Sequence, residues 1–216
     1  MDKDCCPLSV DLKKNMIKNI IFDFGGVLVD WNPHYLFDSY FNDMEKCNYF
    51  IENVCNTEWN AQMDKGKPFS VAVQERIAEF PEYEEAIRLY QSEWMKTMGE
   101  EIPGMYDLIK LLKEKYPVIY GLTNWSNETF PMVQKVYRIF SLIDNIVCSG
   151  DEKLLKPDPK IYQTLLERYN LKAEESVFID DNANNVKGAI DMGMKSIRFV
   201  NAEQLQKDLN ELLNQE

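Results

Sequence analysis

The chain has 216 residues, of which 45% are hydrophobic, so it can bury one substantial core or one core with an inserted subdomain. Its formal net charge of −12 at pH 7 argues against a nucleic-acid-binding surface, because such a surface needs clustered lysine and arginine. With a single histidine, His34, the chain has little from which to build a catalytic triad or a histidine-rich metal site.

No apolar stretch approaches the roughly 20 residues that a membrane-spanning helix needs, and residues 1–18 lack the apolar segment of a signal peptide. We therefore expect a cytoplasmic protein that does not act at a membrane. The five cysteines are odd in number and scattered, which favours a reduced compartment without disulfides. The sequence leaves open whether the protein is a monomer or a homodimer.

Residues 1–15 are polar and are predicted to form a tail. The first strand is predicted at about residues 18–23, where a short apolar run ends in Asp23, with Gly25 and Gly26 close behind. Such a run is typical of a strand buried on both faces, which delivers the carboxylate at its carboxyl end. The dinucleotide-binding fingerprint is not matched, because residues 27–29 contain no third glycine that opens a helix.

Between residues 32 and 102 the pattern changes to amphipathic helices that are rich in aromatic residues and methionine. The helices predicted in this region are Pro33–Phe41, Asp43–Val54, Phe69–Glu79 and Glu82–Thr97. These helices cannot lie under a parallel sheet without a long detour of the chain, so we predict an inserted helical cap over residues 32–102. The alternative is that they pack directly on a face of the sheet.

From residue 103 onward strands and helices alternate. Strands are predicted at Val118–Leu122, Ile146–Cys148, Val177–Ile179 and Ser196–Val200, and helices at Met105–Lys115, Ser126–Tyr137, Asp158–Asn170, Asn184–Met192 and 202–214. Ser126 and Asp158 are the predicted N-caps of their helices, and Gly193 is the predicted end of another. The alternation predicts an α/β fold with a Rossmann-like, doubly wound parallel sheet, formed by residues 16–31 and 103–216.

Polar residues follow four of the apolar runs, and parallel strands would bring all of them to one edge of the sheet. They are Asp23, Thr123 with Asn124, Lys156, and Asp180 with Asp181. Taken singly, each has a structural explanation as a turn residue, a solvated charge or a helix cap. Taken together, at the ends of elements of one sheet, they indicate a ligand site.

The chemistry of these residues fits phosphoryl transfer. A carboxylate such as Asp23 can attack phosphorus and form a covalent aspartyl phosphate, which water then hydrolyses. The charged phosphoryl oxygens need donors and cations around them, which Thr123, Asn124 and Lys156 can supply. Backbone N–H groups of the turn at Gly25 and Gly26 can add to these, because glycine lets the backbone approach a ligand closely.

A metal ion is predicted beside the nucleophile, because several crowded carboxylates repel one another. Mg²⁺ favours an octahedron of oxygen atoms with few ligands from the protein. Asp23, the carbonyl of Gly25 and Asp181 can provide three, and Asp180 is a further candidate metal residue. Phosphate and water would complete the shell.

The motifs that carry these residues resemble those of the haloacid dehalogenase-like hydrolase superfamily, in the subfamily whose helical cap follows the first strand. The matching segments are Phe22–Leu28 (nucleophile), Gly121–Asn124 (phosphate-binding Thr/Ser), Leu155–Tyr162 (lysine) and Phe178–Asn185 (acidic metal motif). The likeness runs from about residue 19 to 200, with only the cap weakly matched. It implies a Mg²⁺-dependent phosphatase of small phosphorylated metabolites, and looks closest to bacterial sugar phosphatases of the α-D-glucose-1-phosphatase type.

Gly25 is a departure from the family pattern, in which most phosphatases have a second aspartate as general acid and base. Such assistance is typically worth about 10²–10⁴ in rate. Acyl phosphates or sugar 1-phosphates have readily departing groups and need less of it. Another group can take the role instead, and His34 and the segment Trp59–Asp64 are the candidates. The third explanation is a slow enzyme, or a protein that is not a phosphatase.

Three alternative functions stay open at this point. A dehalogenase would expel halide, which needs no proton, but it dispenses with the metal and would leave Asp180 and Asp181 unneutralised. A phospho-aspartate receiver domain combines similar residues in a different chain order and lacks the inserted helices. A non-catalytic binding protein could share the fold, its chemistry disabled by Gly25.

Aromatic residues and a methionine are candidates for the wall of a substrate pocket under the cap, where they would exclude water. They are Trp31, Trp59, Trp125 and Met63. Ordinary packing in the core is the alternative role for each of them.

Overall fold

The computed structural model describes residues 16–214, so the predicted tail at residues 1–15 lies outside the described residues. The strands are β1 (Asn19–Phe22), β2 (Val29–Trp31), β3 (Met98–Glu101), β4 (Ile119–Thr123), β5 (Asn145–Cys148), β6 (Ser176–Asp180) and β7 (Lys195–Arg198). The α-helices are α1 (His34–Phe41), α2 (Met44–Tyr49), α3 (Thr57–Asp64), α4 (Phe69–Glu79), α5 (Glu84–Ser92), α6 (Met105–Lys115), α7 (Phe130–Val136), α8 (Ser149–Glu152), α9 (Pro159–Arg168), α10 (Ala183–Asp191) and α11 (Ala202–Asn214).

Five strands form a parallel sheet in the order β5-β4-β1-β6-β7, with β1 at its centre. Successive side chains of β1 alternate between two apolar clusters, since Ile20 and Phe22 pack in one and Ile21 in the other. All three are fully buried, as expected for a strand covered on both faces. The prediction of an α/β fold with a doubly wound parallel sheet is confirmed.

A second, two-stranded sheet was missed by the sequence analysis. Strand β2 pairs antiparallel with β3, which brings the chain leaving β1 beside the chain that returns to α6. These strands are only three and four residues long and half-buried, so they lack a periodic apolar pattern. They lie next to the predicted cap boundaries at residues 32 and 102, and the division of the chain into cap and core stays a prediction.

The helices between residues 34 and 97 are shorter and more broken than predicted. Where one helix was predicted over Glu82–Thr97, α5 has one 3₁₀ turn on each side. The predicted helix Asp43–Val54 ends in a π-helical turn. Helix α3, with Asn56 as its N-cap, was not predicted as a helix. Among residues 16–214, no helix has the length and apolar character that crossing a membrane requires.

The helix predicted to begin at Ser126 begins instead at Phe130, so the assignment of Ser126 as its N-cap is wrong. The backbone before it is held in a loop, because the N–H of Trp125 donates to Ser149 Oγ (2.8 Å). The assignment of Asp158 as an N-cap is confirmed, since its side chain accepts from the N–H of Lys160. Gly193, with φ +86°, follows α10 as predicted.

Candidate active site

Asp23 lies directly after β1 and is only 8% exposed. Its Oδ1 accepts a hydrogen bond from the N–H of Phe24 (2.7 Å), and the turn closes through the N–H of Gly26 and the carbonyl of Val29 (2.9 Å). Gly26 has φ +73°, and a Cβ there would lie 2.7 Å from Asp181 Oδ2. The turn therefore needs glycine both for its backbone conformation and for the approach of a carboxylate.

Lys156 connects the two buried carboxylates at this edge of the sheet. Its Nζ lies 2.8 Å from Asp23 Oδ1 and 2.7 Å from Asp180 Oδ2, and its side chain is fully buried. Asp180 also accepts hydrogen bonds from Asn185 Nδ2 (3.1 Å to each oxygen) and from the N–H of Asn182 (2.8 Å). Both oxygens of Asp180 are thus engaged in holding the lysine and the start of α10.

The electrostatic balance of this cluster leaves excess negative charge. Burial raises the pKa of Asp23, while the charge of Lys156 opposes that rise. Burial and the charge of Asp180 raise the pKa of Asp181. Burial opposes protonation of Lys156, but the charges of Asp23 and Asp180 raise its pKa overall. Three carboxylates whose oxygens lie within 4.8 Å of one another share one ammonium group, so the cluster suits a divalent cation with oxygen ligands.

Thr123 and Asn124 follow β4, next to β1. Thr123 is 1% exposed, and its Oγ1 has no hydrogen-bond partner among the described residues. A buried hydroxyl without a partner is costly, and a ligand oxygen would satisfy it. Asn124 accepts from the N–H of Lys156 at Oδ1 (2.8 Å) and donates from Nδ2 to the carbonyl of Lys156 (3.1 Å). Its amide therefore fixes the loop that carries the lysine.

A cavity of about 260 Å³ opens above this cluster, between the sheet edge and the helices of residues 34–97. Its walls are formed by Asp23, Gly25, Gly26, Trp31, Asp64, Trp94, Asn124, Trp125 and Asp181. The structure thus brings the predicted residues Trp31 and Trp125 to the cavity together with Asp23 and Asp181. It also adds Trp94, which contacts Trp125 edge to face and which the sequence analysis missed.

Trp59 and Met63 do not line this cavity, so of their two possible roles the structure supports packing in the core. They lie four residues apart on α3, on the face that packs into the core, and both are buried. The indole N–H of Trp59 donates to the carbonyl of Ala72 (3.3 Å). The face of α3 that reaches the cavity is the one that carries Asp64.

Asp64 is the last residue of α3 and faces the cavity from the helical side. Its Oδ2 accepts from Asn60 Nδ2 (2.9 Å), and its carboxyl group also accepts from the N–H of Ser126. Burial raises the pKa of Asp64 to about 8; the Ser126 hydrogen bond opposes this rise, and the charge of Asp23 adds to it. Burial is therefore the dominant influence on Asp64 and favours its protonated form.

Gly25 and His34, the two positions that bear on the missing general acid, differ in whether they border the cavity. A Cβ at Gly25 would meet nothing closer than Trp125 Cζ3 at 3.8 Å, so that position is open towards the cavity. His34 is not a cavity residue. Its Nδ1 lies 2.8 Å from Asp38 Oδ1 and 3.8 Å from Cys47 Sγ, in a group on α1 and α2.

Residues 17–193 match the haloacid dehalogenase-like hydrolase family, and the chain therefore belongs to this family and is a hydrolase. The chain is 27% identical over 201 residues to the sesquiterpene phosphatase astK of Aspergillus oryzae, with 91% of this chain and 96% of that protein covered. It is 23% identical over 208 residues to a D-ribitol-5-phosphate phosphatase of Bacteroides thetaiotaomicron, with 92% and 100% covered.

Solved structures of the same family share the fold. A family enzyme from Bacteroides thetaiotaomicron, in complex with magnesium and inorganic phosphate, superimposes with a TM-score of 0.63 at 22% identity. The superposition covers 86% of this chain and 96% of that chain. A predicted family hydrolase from Porphyromonas gingivalis superimposes with a TM-score of 0.71 at 20% identity, covering 93% and 100%.

Proposed function

We propose that this hydrolase is a Mg²⁺-dependent phosphatase of small phosphorylated metabolites, sugar phosphates above all, which acts through an aspartyl phosphate on Asp23. The observation that carries the proposal is the ion pair between buried Lys156 and Asp23, which lines the cavity, with the unpartnered hydroxyl of Thr123 on the neighbouring strand. A carboxylate, an ammonium group and a free hydroxyl donor together suit a phosphoryl group.

The hydrogen bonds of Asp23 leave one of its oxygens for attack. Oδ1 receives both the N–H of Phe24 and the ammonium of Lys156, and among residues 16–214 no hydrogen bond or ion pair engages Oδ2. Oδ2 attacks phosphorus as the ester P–O bond breaks, and the electron pair of that bond leaves with the substrate oxygen. Lys156 and Thr123 hold the phosphoryl oxygens, and water then attacks phosphorus, which releases phosphate and restores Asp23.

The donor set fits a magnesium ion. Asp23, Asp181 and the Gly25 carbonyl would hold it, since they are oxygen ligands at one corner of the cavity. When bound, the cation neutralises charge on the transferred phosphoryl group. We assign Asp180 to positioning Lys156, because its two oxygens already accept from that lysine and from Asn185. Asn124 holds the same lysine through its backbone.

The cavity walls support a compact substrate with an apolar face. Trp31, Trp94 and Trp125 enclose the space next to Asp23, and flat indole rings suit the C–H face of a sugar or polyol. A volume of about 260 Å³ lies near the lower end of common ligand pockets. The D-ribitol-5-phosphate phosphatase and the magnesium and phosphate complex among the relatives agree with this chemistry.

The test is a screen of sugar, polyol and acyl phosphates with Mg²⁺ and with EDTA, on the wild type and Asp23→Asn. We expect metal-dependent phosphate release by the wild type and a loss of at least about 10³-fold in Asp23→Asn. Asp191→Asn, an exposed carboxylate on α10, is the matched control and should keep full activity. Phosphate release that survives in Asp23→Asn would refute the nucleophile, and chloride release from 2-haloacids without Mg²⁺ would favour the dehalogenase.

A further inference from the structure

The open space beside Gly25 leaves the proposed phosphatase without the acid that usually protonates the leaving group. We propose that Asp64, which faces the same cavity from the opposite wall, is the general acid and base of this enzyme. This inference rests on the proposed function, because it assigns the source of the proton in the same reaction.

The position of Asp64 meets the first requirement of such a group. Asp64, Asp23 and Gly25 border one cavity, with Asp23 on the sheet side and Asp64 on the helical side. A substrate phosphate bound at Asp23 would direct its ester oxygen away from the attacking carboxylate, because attack and departure are in line. That direction leads from the sheet edge towards the helical wall of the cavity.

Asp64 is held against the sheet domain by its own backbone. Its carbonyl accepts from Ser149 Oγ (2.5 Å), and the same hydroxyl accepts from the N–H of Trp125 (2.8 Å). Two residues further on, Gly66 has φ +89°, and a Cβ there would lie 2.5 Å from the carbonyl of Gly150. The end of α3 therefore lies in close contact with the loop and helix that follow β4 and β5.

A chain of hydrogen bonds orients the carboxyl group. Tyr90, which is fully buried, donates from its hydroxyl to Asn60 Oδ1 (2.8 Å). This bond fixes the orientation of the Asn60 amide, so its Nδ2 donates to Asp64 Oδ2 (2.9 Å). The N–H of Ser126 also donates to this carboxyl. These two donors hold the carboxyl group of a residue that lines the cavity.

The surroundings of Asp64 favour its protonated form. The titratable groups that act on it or that it acts on are Asp23 after β1, Cys148 at the end of β5 and Tyr90 on α5. None of these three is a cation, whereas Asp23 has Lys156 within 2.8 Å. Lys156 thus favours the ionised form of Asp23, as a nucleophile requires, whereas no cation among these groups favours ionisation of Asp64.

The proposed reaction has two steps, and Asp64 transfers a proton in each. As the ester P–O bond breaks, its electron pair moves to the leaving oxygen, and the proton of Asp64 is transferred to that oxygen to give a neutral alcohol. The Asp64 carboxylate then takes a proton from water while the water oxygen attacks the phosphorus of the aspartyl phosphate. Inorganic phosphate leaves, and both Asp23 as carboxylate and Asp64 as acid are restored.

The test compares leaving groups in Asp64→Asn. For an alkyl phosphate such as D-ribitol 5-phosphate we expect kcat/KM to fall by about 10²–10⁴-fold, because the alkoxide must leave unprotonated. For 4-nitrophenyl phosphate, whose leaving group needs no proton, phosphorylation should change little. Loss of the base should then slow hydrolysis of the aspartyl phosphate, so a rapid burst of about one equivalent of nitrophenol per enzyme should appear.

Two further variants separate a catalytic role from a structural one. Glu58→Gln removes an exposed carboxylate from the same helix and should behave as wild type. Gly25→Asp, introduced into Asp64→Asn, places a carboxyl group in the open space at residue 25 and should restore alkyl phosphatase activity. If Asp64→Asn fails to fold, Asp64→Glu, which keeps a carboxylic acid at this position, is measured in its place.

The outcomes are distinct. Equal falls in kcat/KM of Asp64→Asn on both substrates, or no fall on either, would overturn the role of Asp64 while Asp23→Asn still defines the phosphatase. Failure of Gly25→Asp to rescue a folded Asp64→Asn, together with the absence of a burst, would do the same. If the wild type releases no phosphate from either substrate with Mg²⁺, the proposed function itself fails.

Discussion

The two walls of the cavity are built in different ways. On the sheet side, Asp23, Thr123 and Asp180 sit at the ends of adjacent parallel strands whose register is set by backbone pairing. On the helical side, Asp64 belongs to an eight-residue helix that is attached through Ser149 and other loop contacts. In the sheet wall, strand pairing sets the backbone position of each of these residues. In the helical wall, a few individual contacts set the position of Asp64.

This difference indicates a division of labour between the walls. The covalent step needs the nucleophile, the lysine and the phosphate donors in one rigid arrangement, which neighbouring strands provide. Proton transfer depends on the leaving group, and in our proposal the helical wall is the one that contacts it. The family's acid at residue 25 can thus be absent without loss of the reaction if the other wall supplies one.

The largest effect on stability is expected from Lys156→Met, which removes the cation that pairs with two buried carboxylates on the sheet wall. We expect a loss of about 3–5 kcal/mol in the free energy of unfolding at pH 7, because uncompensated charges stay buried. Lys187→Met is the control, since that lysine pairs with Asp191 at the surface and should cost at most about 1 kcal/mol. Urea unfolding measures both, and equal values would contradict the buried cluster.

The pH dependence of stability tests the helical wall. Because folding raises the pKa of Asp64 to about 8 from 3.8, its contribution to stability is present below pH 4 and is lost as pH rises towards 8. The asparagine of Asp64→Asn cannot ionise. The free energy of unfolding of this variant, relative to that of the wild type, should therefore increase between pH 4 and pH 8. Urea unfolding at several pH values measures the difference. A difference that does not change with pH would show that Asp64 is ionised throughout.

The two glycines of the turn after β1 should respond differently to alanine. Gly26→Ala places a side chain at φ +73° and 2.7 Å from Asp181, so we expect a loss of about 1–2 kcal/mol or more in the free energy of unfolding. Gly25→Ala has neither obstacle and should stay within about 0.5 kcal/mol of wild type. Thermal unfolding of Gly25→Ala and Gly26→Ala measures the difference in stability. If Gly25→Ala is as unstable as Gly26→Ala, the space beside Gly25 is not open.

The smallest effect is expected from His34→Ala. Its contact with Asp38 is a hydrogen bond between side chains that are 32% and 47% exposed, so its loss should cost at most about 1 kcal/mol. Because His34 does not line the cavity, kcat and KM on alkyl phosphates should be unchanged. Steady-state kinetics measures kcat and KM, and a large fall in kcat would make His34 a candidate general acid again.

The sequence by itself determined the parallel sheet and the residues at its edge. Apolar runs that end in Asp23, Thr123 and Asp180 predict strands with polar ends, and parallel pairing then places those ends together whatever the details of the loops. Local chemistry was sufficient for Asp158 and Gly193 as well, since a helix cap depends on adjacent residues.

Only the tertiary structure decided the opposite wall. The strands β2 and β3 are too short for a periodic pattern, and Ser126 was taken for a helix cap although its loop is held by Ser149 and Asp64. Trp59 and Asp64 lie on one short helix, and only packing decides which of them is buried in the core and which faces the cavity. The physical reason is that strand pairing follows from the backbone, whereas the orientation of a helix face is set by contacts between residues far apart in the chain.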